Sequence, residues 1–176
     1  MRRYLLLITL LLQLSWSPII CQNRIIISKR NLELTVIDVS GDTLCVMPCA
    51  VGLNSGQKEV EGDCKTPEGL FSVISIEDSR YWTHDFKDGF GARTGAYGPW
   101  FIRLEVPSFE GIGIHGTCFP ESIGSRSSEG CIRLKNDDLV KLIPLIRKGD
   151  NVEIHSGRIE PIESPIQRMR LYSTTQ

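Results

Sequence analysis

A charge excess of either sign is missing: 20 Lys and Arg stand against 21 Asp and Glu, a formal net charge of -1. Electrostatic binding of a nucleic acid needs a basic patch or stripe, so no nucleic-acid partner is expected. Internal repeats, heptads and low-complexity tracts are absent too, which excludes solenoids, coiled coils and disordered linkers. Paired Cys-x-x-Cys spacing is lacking among the 6 cysteines. Cys45-x₃-Cys49 with Cys64 and a histidine is the nearest approach to a zinc site, and it is a poor one. No metal is therefore expected.

A clean membrane span, which takes about 20 apolar residues, is missing as well. The longest apolar run, residues 4–12, follows Arg2 and Arg3 and is broken by Gln13, Ser15, Ser17 and Pro18. A basic start and a short apolar stretch read as a secretory signal. Its end leaves three outcomes: cleavage near Cys21, a lipid on Cys21 despite the bulky Ile20 before it, or an uncleaved anchor. Residues 1–21 are thus expected to be a signal peptide or a membrane or lipid anchor, and the protein to be exported.

What remains suits one globular domain, with 41% apolar and 23% charged residues in a chain of 176. The expected domain covers residues 24–156, and the tail 157–176 shows no clear pattern. Short β-branched or alternating segments predict strands over 24–27, 32–39, 44–52 (bent at Pro48), 70–76, 100–106, 111–115 and 152–155. One helix is predicted over 137–147, capped by Asn136, with Leu139, Leu142, Ile143 and Ile146 on one face and Pro144 shortening or kinking it. Many strands and one helix indicate a mainly β, sandwich-like domain.

Two side chains stand out by position. His115 closes the apolar run Gly-Ile-Gly-Ile-His, and Cys131 opens Cys-Ile-Arg-Leu after Ser-Ser-Glu-Gly. Both lie where loop meets strand, and a Cys and His brought together make an activated nucleophile. A lone Cys is more often a small buried hydrophobe. His84 and His155 are read as structural or surface residues.

The stretch His115-Gly-Thr, followed by Ser128-Glu-Gly-Cys-Ile-Arg-Leu134, resembles the catalytic signature of the L,D-transpeptidase (YkuD-type) family. That signature is His-Gly, a loop of about 15 residues, then Ser-His-Gly-Cys and Ile-Arg. Thr66-Pro67-Glu68-Gly69-Leu70-Phe71, Gly98-Pro99-Trp100 and Gly149-Asp150-Asn151-Val152-Glu153-Ile154 resemble further family segments, in the same order. The resemblance spans residues 31–156. It implies a YkuD-like β-sandwich of mixed sheets with one or two short helices, and an enzyme that builds 3→3 cross-links in peptidoglycan without a cofactor.

Residue by residue, the resemblance implies that Cys131 attacks the stem peptide beside its terminal D-Ala, forming a thioester acyl-enzyme. His115 is then base and acid, and stem peptides are both donor and acceptor. Covalent acylation by a carbapenem is implied as well. Gly130, Ser128, Gly116 and Arg133 are expected to support the oxyanion or the loop. Arg133 either binds a substrate carboxylate or, the favoured reading, holds the loop. Tyr97 and Trp100 are weaker candidates for the substrate cleft, core packing being the alternative. Resolution of the acyl-enzyme by water would give an L,D-carboxypeptidase, and loss of catalysis a peptidoglycan-binding module. Two positions depart from the pattern: Glu129 stands where the family has His, and Cys118 where many relatives have Asn. A carboxylate beside the nucleophile raises a thiol pKa. In an exported chain Cys45, Cys49, Cys64 and Cys118 could form up to two disulfides, or remain thiols.

Overall fold

Alternating apolar segments with Gly and Asp between them do form short strands. The computed structural model describes residues 22–157, so the expectations for residues 1–21 and for most of the tail lie outside the described residues. In chain order the strands are β1 (Arg24–Ser28), β2 (Glu33–Ile37), β3 (Thr43–Pro48), β4 (Val51–Gly52), β5 (Gly69–Asp78) and β6 (Thr83–Asp85). They continue as β7 (Ala92–Thr94), β8 (Trp100–Leu104), β9 (Gly113–His115), β10 (Arg126–Ser128), β11 (Ile132–Arg133) and β12 (Asn151–His155), with helix α1 (Asn136–Leu142) before the last.

Eight of them make one sheet in the order β11-β9-β8-β5-β12-β1-β2-β3. The pairs β1/β12 and β9/β11 are parallel and the other pairs antiparallel, so the sheet is mixed as expected. The ten-residue strand β5 joins the two halves, pairing with β12 at its start and with β8 beyond Val73. A register shift between Val73 and Ser75 lies where it changes partner, and such irregularities bend a strand. The halves then share one core: Ile25, Ile27, Leu34 and Val36 from one side meet Ile102, Leu104, Ile114 and Ile132 from the other. Helix α1 adds Leu139 and Leu142, both fully buried, each contributing roughly 2 kcal/mol.

Three expectations change. The strand predicted over 44–52 is two strands, because Pro48 has no N–H to continue the ladder, and β4 leaves to pair with β10. The helix ends at Leu142, and Pro144 tightens the chain into a 3₁₀ turn, Ile143–Leu145. Asn136 is no cap: Lys135 holds that position, and the Asn136 side chain is used elsewhere. Cys45, Cys49, Cys64, Cys118 and Cys131 are free thiols, so the disulfide alternative is not taken up.

A buried cation ties the loop between β4 and β5 to the sheet. Lys29, 1% exposed, follows β1 and donates from Nζ to the carbonyl oxygens of Gly56 (2.6 Å) and Thr66 (2.7 Å). Its third partner is the Glu68 carboxylate at 2.8 Å. An ammonium has three donors, and all three are used. Thr66 then reaches onward: its Oγ1 accepts from the Gly52 N–H (2.7 Å) and donates to the Gly130 carbonyl (2.9 Å). Lys29→Met, which keeps the stem and strips the charge, leaves the buried Thr66 carbonyl without its donor and frees Gly56 and Glu68 from the sheet. We expect it to lower unfolding stability by roughly 3 kcal/mol in urea titrations; an unchanged midpoint would show that the loop does not depend on the lysine.

Candidate active site

Strands β9 and β11 lie side by side and parallel, with Ile114 opposite Ile132 and His115 opposite Arg133. The Leu134 N–H donates to the His115 carbonyl at 2.9 Å. One step back in the same register, Cys131 faces Gly113. Residues in register share a face of the sheet, and so do residues two apart along a strand. His115, Cys131 and Arg133 accordingly line one cavity of about 480 Å³. The two residues singled out from the sequence are brought together.

His115 is 5% exposed and sits among aromatic rings. Its imidazole stacks on Phe101 with centroids 5.4 Å apart, and Tyr97 meets it edge-on at 4.9 Å. Burial lowers the His115 pKa to about 3, against the pull of its bond to the Gly116 carbonyl, and Arg133 and His84 lower it further. That bond, 2.6 Å from Nδ1, fixes the tautomer. A carbonyl only accepts, so Nδ1 carries the proton and Nε2 keeps its lone pair.

Gly116 can offer its carbonyl there because nothing larger fits. A Cβ on it would lie 2.1 Å from Asn136 Oδ1 and 2.9 Å from the Gly98 Cα. Asn136 Oδ1 instead accepts from the Thr117 N–H at 2.9 Å, locking the chain just past the histidine.

Cys131 is partly exposed and donates from Sγ to the Gly111 carbonyl at 3.3 Å. Its pKa is pushed up to about 11, first by burial. A Gly113 backbone bond and the Arg103 and Arg133 charges oppose this, while Glu129 adds to it. The resting pair is therefore a neutral thiol and a neutral imidazole.

The turn before Cys131 is closed on itself. Ser128 Oγ donates to the Cys131 carbonyl (2.5 Å) and accepts from the Gly130 N–H (3.2 Å). Gly130 has φ +142°, a backbone conformation that side chains rarely allow. Ser128 thus shapes the loop, and the Gly130 N–H is already engaged. Arg133, 7% exposed, donates from Nη2 to Ser127 Oγ, while its Nε has no partner among the described residues. That bond joins Arg133 to the loop before Cys131.

Tyr97 lines the cavity. Trp100 does not: it packs against the core with Ile102 and Leu104. Strand alternation puts Phe101 and Arg103 on the site side instead, with Arg103 4.9 Å above the Phe101 ring and doubly bonded to Glu77.

His84 also needs correcting. The hairpin β6–β7 carries it into the cavity, with Nδ1 3.2 Å from Tyr97 Oη and Nε2 3.3 Å from Glu129 Oε2. His155 does stay at a strand end, away from the cavity. No cluster of three His, Cys, Asp or Glu fit to hold a metal occurs among the described residues, and no helix there is long and apolar enough to cross a membrane.

Comparison with known proteins agrees with this arrangement. The family model of the L,D-transpeptidase catalytic domain, YkuD, matches residues 22–154. YqjB of Bacillus subtilis, which bears an L,D-transpeptidase name, is 34% identical over 132 residues, 74% of this chain and 69% of that protein. YkuD of the same organism is 39% identical over 91 residues, 52% of this chain and 46% of its own. An L,D-transpeptidase from Mycobacterium smegmatis has a similar fold (TM-score 0.58, 21% identity), covering 77% of this chain and 59% of that one. L,D-transpeptidase 3 from Mycobacterium tuberculosis, solved with a faropenem-derived adduct, gives a TM-score of 0.59 at 20% identity, over 77% and 61% of the two chains. This chain thus spans about six-tenths of the length of these solved structures.

The thiol pKa yields a measurable profile. Alkylation of Cys131 by iodoacetamide, followed by peptide mass mapping, should climb about tenfold per pH unit from pH 7 to 10 with no plateau near neutrality. Glu129→Gln removes a charge that disfavours the thiolate, so its curve should shift to lower pH and alkylate several-fold faster at pH 8. A wild-type plateau at pH 7 would mean a thiolate–imidazolium pair instead.

Proposed function

The chain belongs to the YkuD family of L,D-transpeptidase catalytic domains, and from that premise we propose that it is an exported peptidoglycan L,D-transpeptidase with Cys131 as nucleophile. The family's enzymes act on peptidoglycan stem peptides in the cell envelope. The observation that carries the reading is the placement of His115 at the end of β9 and Cys131 just before its neighbour β11, both lining one cavity, the imidazole with its Nε2 lone pair available.

The neutral resting pair sets the order of events. Cys131 attacks the carbonyl between the diamino acid and D-Ala of a tetrapeptide stem. As the S–C bond forms, the thiol proton passes to His115 Nε2, which an imidazole with so low a pKa accepts only as sulfur becomes bonded to carbon. The oxyanion needs a backbone donor. With the Gly130 N–H engaged by Ser128, the Cys131 N–H takes that part. The C–N bond breaks, His115 returns the proton to the D-Ala amine, and a thioester remains. A second amine attacks it, losing a proton to His115. The C–S bond breaks, and the sulfur recovers that proton. The product is a 3→3 cross-link. Water in place of the amine gives a trimmed tripeptide.

Incubating the full chain with a disaccharide-tetrapeptide should release D-Ala and give a cross-linked dimer by mass spectrometry. Cys131→Ala should lower both by at least about a thousandfold. Tripeptide alone would make the protein an L,D-carboxypeptidase, and turnover retained in the variant would reject Cys131. Imipenem supplies an independent test: intact mass should rise by one adduct in the wild type and not in Cys131→Ala. The solved L,D-transpeptidase structure titled as a complex with imipenem motivates the choice.

A further inference from the structure

Beside the nucleophile the chain carries a carboxylate that the signature does not provide for, and the structure assigns it a purpose. We propose that Glu129 anchors the acceptor, holding a primary alkylammonium next to Cys131; one proton leaves to solvent to give the nucleophilic amine, and a second passes to His115 as that amine attacks the acyl-enzyme. The proposal deepens the transpeptidase reading and rests on it.

Glu129 lines the cavity two residues before Cys131, and its side chain is 63% exposed. A carboxylate this open would normally swing freely, but this one is held. A carboxylate only accepts, so His84 directs Nε2–H to Glu129 Oε2, while its Nδ1 meets the Tyr97 hydroxyl at 3.2 Å. The ring of His84 is braced edge-on by Phe86, centroids 4.7 Å apart. Tyr97, His84 and Glu129 thus form an oriented chain that ends on one carboxylate oxygen. Among the described residues the other oxygen, Oε1, has no partner.

The surroundings select a cation. Glu61 and Glu110 line the same cavity and have no ion-pair partner among the described residues. Of the cations that line the cavity, Lys58 is paired with Asp63 at 2.8 Å, and Arg133, which carries its charge unpaired, is turned to Ser127 at the loop. A divalent metal is disfavoured, since no group of three ligating side chains comes together there among the described residues. Phe86 and Phe109 add apolar walls. Carboxylate at the end and aromatic faces along the side suit the alkyl stem and the charged head of a primary amine. At the Glu129 end of the cavity the rim therefore favours an amine over a carboxylate.

Two measurements test this. The first needs no turnover: the full chain with Cys131→Ala is titrated by calorimetry with a disaccharide-tripeptide bearing the free side-chain amine, and with the same compound N-acetylated on that amine. The free amine should bind better, and Glu129→Gln should remove that advantage, a loss of roughly ten- to hundredfold in affinity. Glu129→Asp should keep part of it. Equal binding of both compounds, or an advantage that survives Glu129→Gln, overturns the proposal.

The second measurement follows the acyl-enzyme of the chain with Cys131 intact, partitioning between water and amine. With Nα-acetyl-lysine, a cation at pH 7.5, Glu129→Gln should cut the aminolysis-to-hydrolysis ratio by the same factor. Hydroxylamine, neutral at that pH, should partition as in the wild type. His84→Phe should act in the same direction as Glu129→Gln, and less. Equal losses with both amines, or a change confined to the donor KM, would mean that Glu129 merely supports the loop. Amine-selective binding without any acylation would instead fail the transpeptidase reading and leave the subsite standing.

Discussion

The position of Cys131 depends on a lysine that has almost no contact with water. An ammonium can be buried only if its three donors are met, and Lys29 meets them with the Gly56 and Thr66 carbonyls and the Glu68 carboxylate. The loop between β4 and β5 has no strand of its own to define its course, so these acceptors define it. Thr66, once placed, uses its hydroxyl twice, on Gly52 and on Gly130. The turn that presents Cys131 is thereby fixed from beneath by a residue 64 positions away in sequence. Ser128 closes the same turn from within.

The chemistry above that foundation depends on keeping charge out until it is needed. Phe101 and Tyr97 enclose the His115 ring, and the Gly116 carbonyl holds its N–H, so a neutral base waits with one lone pair available. Arg103, neutralised by two bonds to Glu77, lies over the far face of Phe101 and still favours a developing thiolate. Glu129 works against the thiolate. A residue that slows the first half of a reaction is tolerable if it assists the second half, which is the balance we propose for the acceptor subsite.

Much of this was legible in the chain. His115 and Cys131 announced themselves by lying at loop–strand boundaries, and the order of the motif segments carried the family and the mixed-sheet fold. What could not be read was phase and distance. Alternation over residues 100–104 shows that Trp100 and Phe101 face opposite ways, and not which way is inward. Composition marks Asn136 as a helix cap, yet two glycines, Gly98 and Gly116, admit its side chain between distant strands, and that contact prevails. His84 lay hidden because its three-residue strand sits among Gly, Asp and Lys, with no hydrophobic period to reveal the hairpin. Glu129 was conspicuous only as a departure, and its partner was found in space.

The sheet closes in a way that bears on the protein's history before it is folded. Strand β1, near the start of the domain, lies between β2 and β12, the last strand of the described residues. Without β12 there is nothing to join β1 to β5, and the two halves of the core have no common frame. A growing chain therefore cannot complete its sheet on the ribosome until about residue 155 has emerged. Folding must wait for that strand, which leaves an interval in which the chain is still a thread. For a protein that we propose is exported, that interval is when a translocase can engage it.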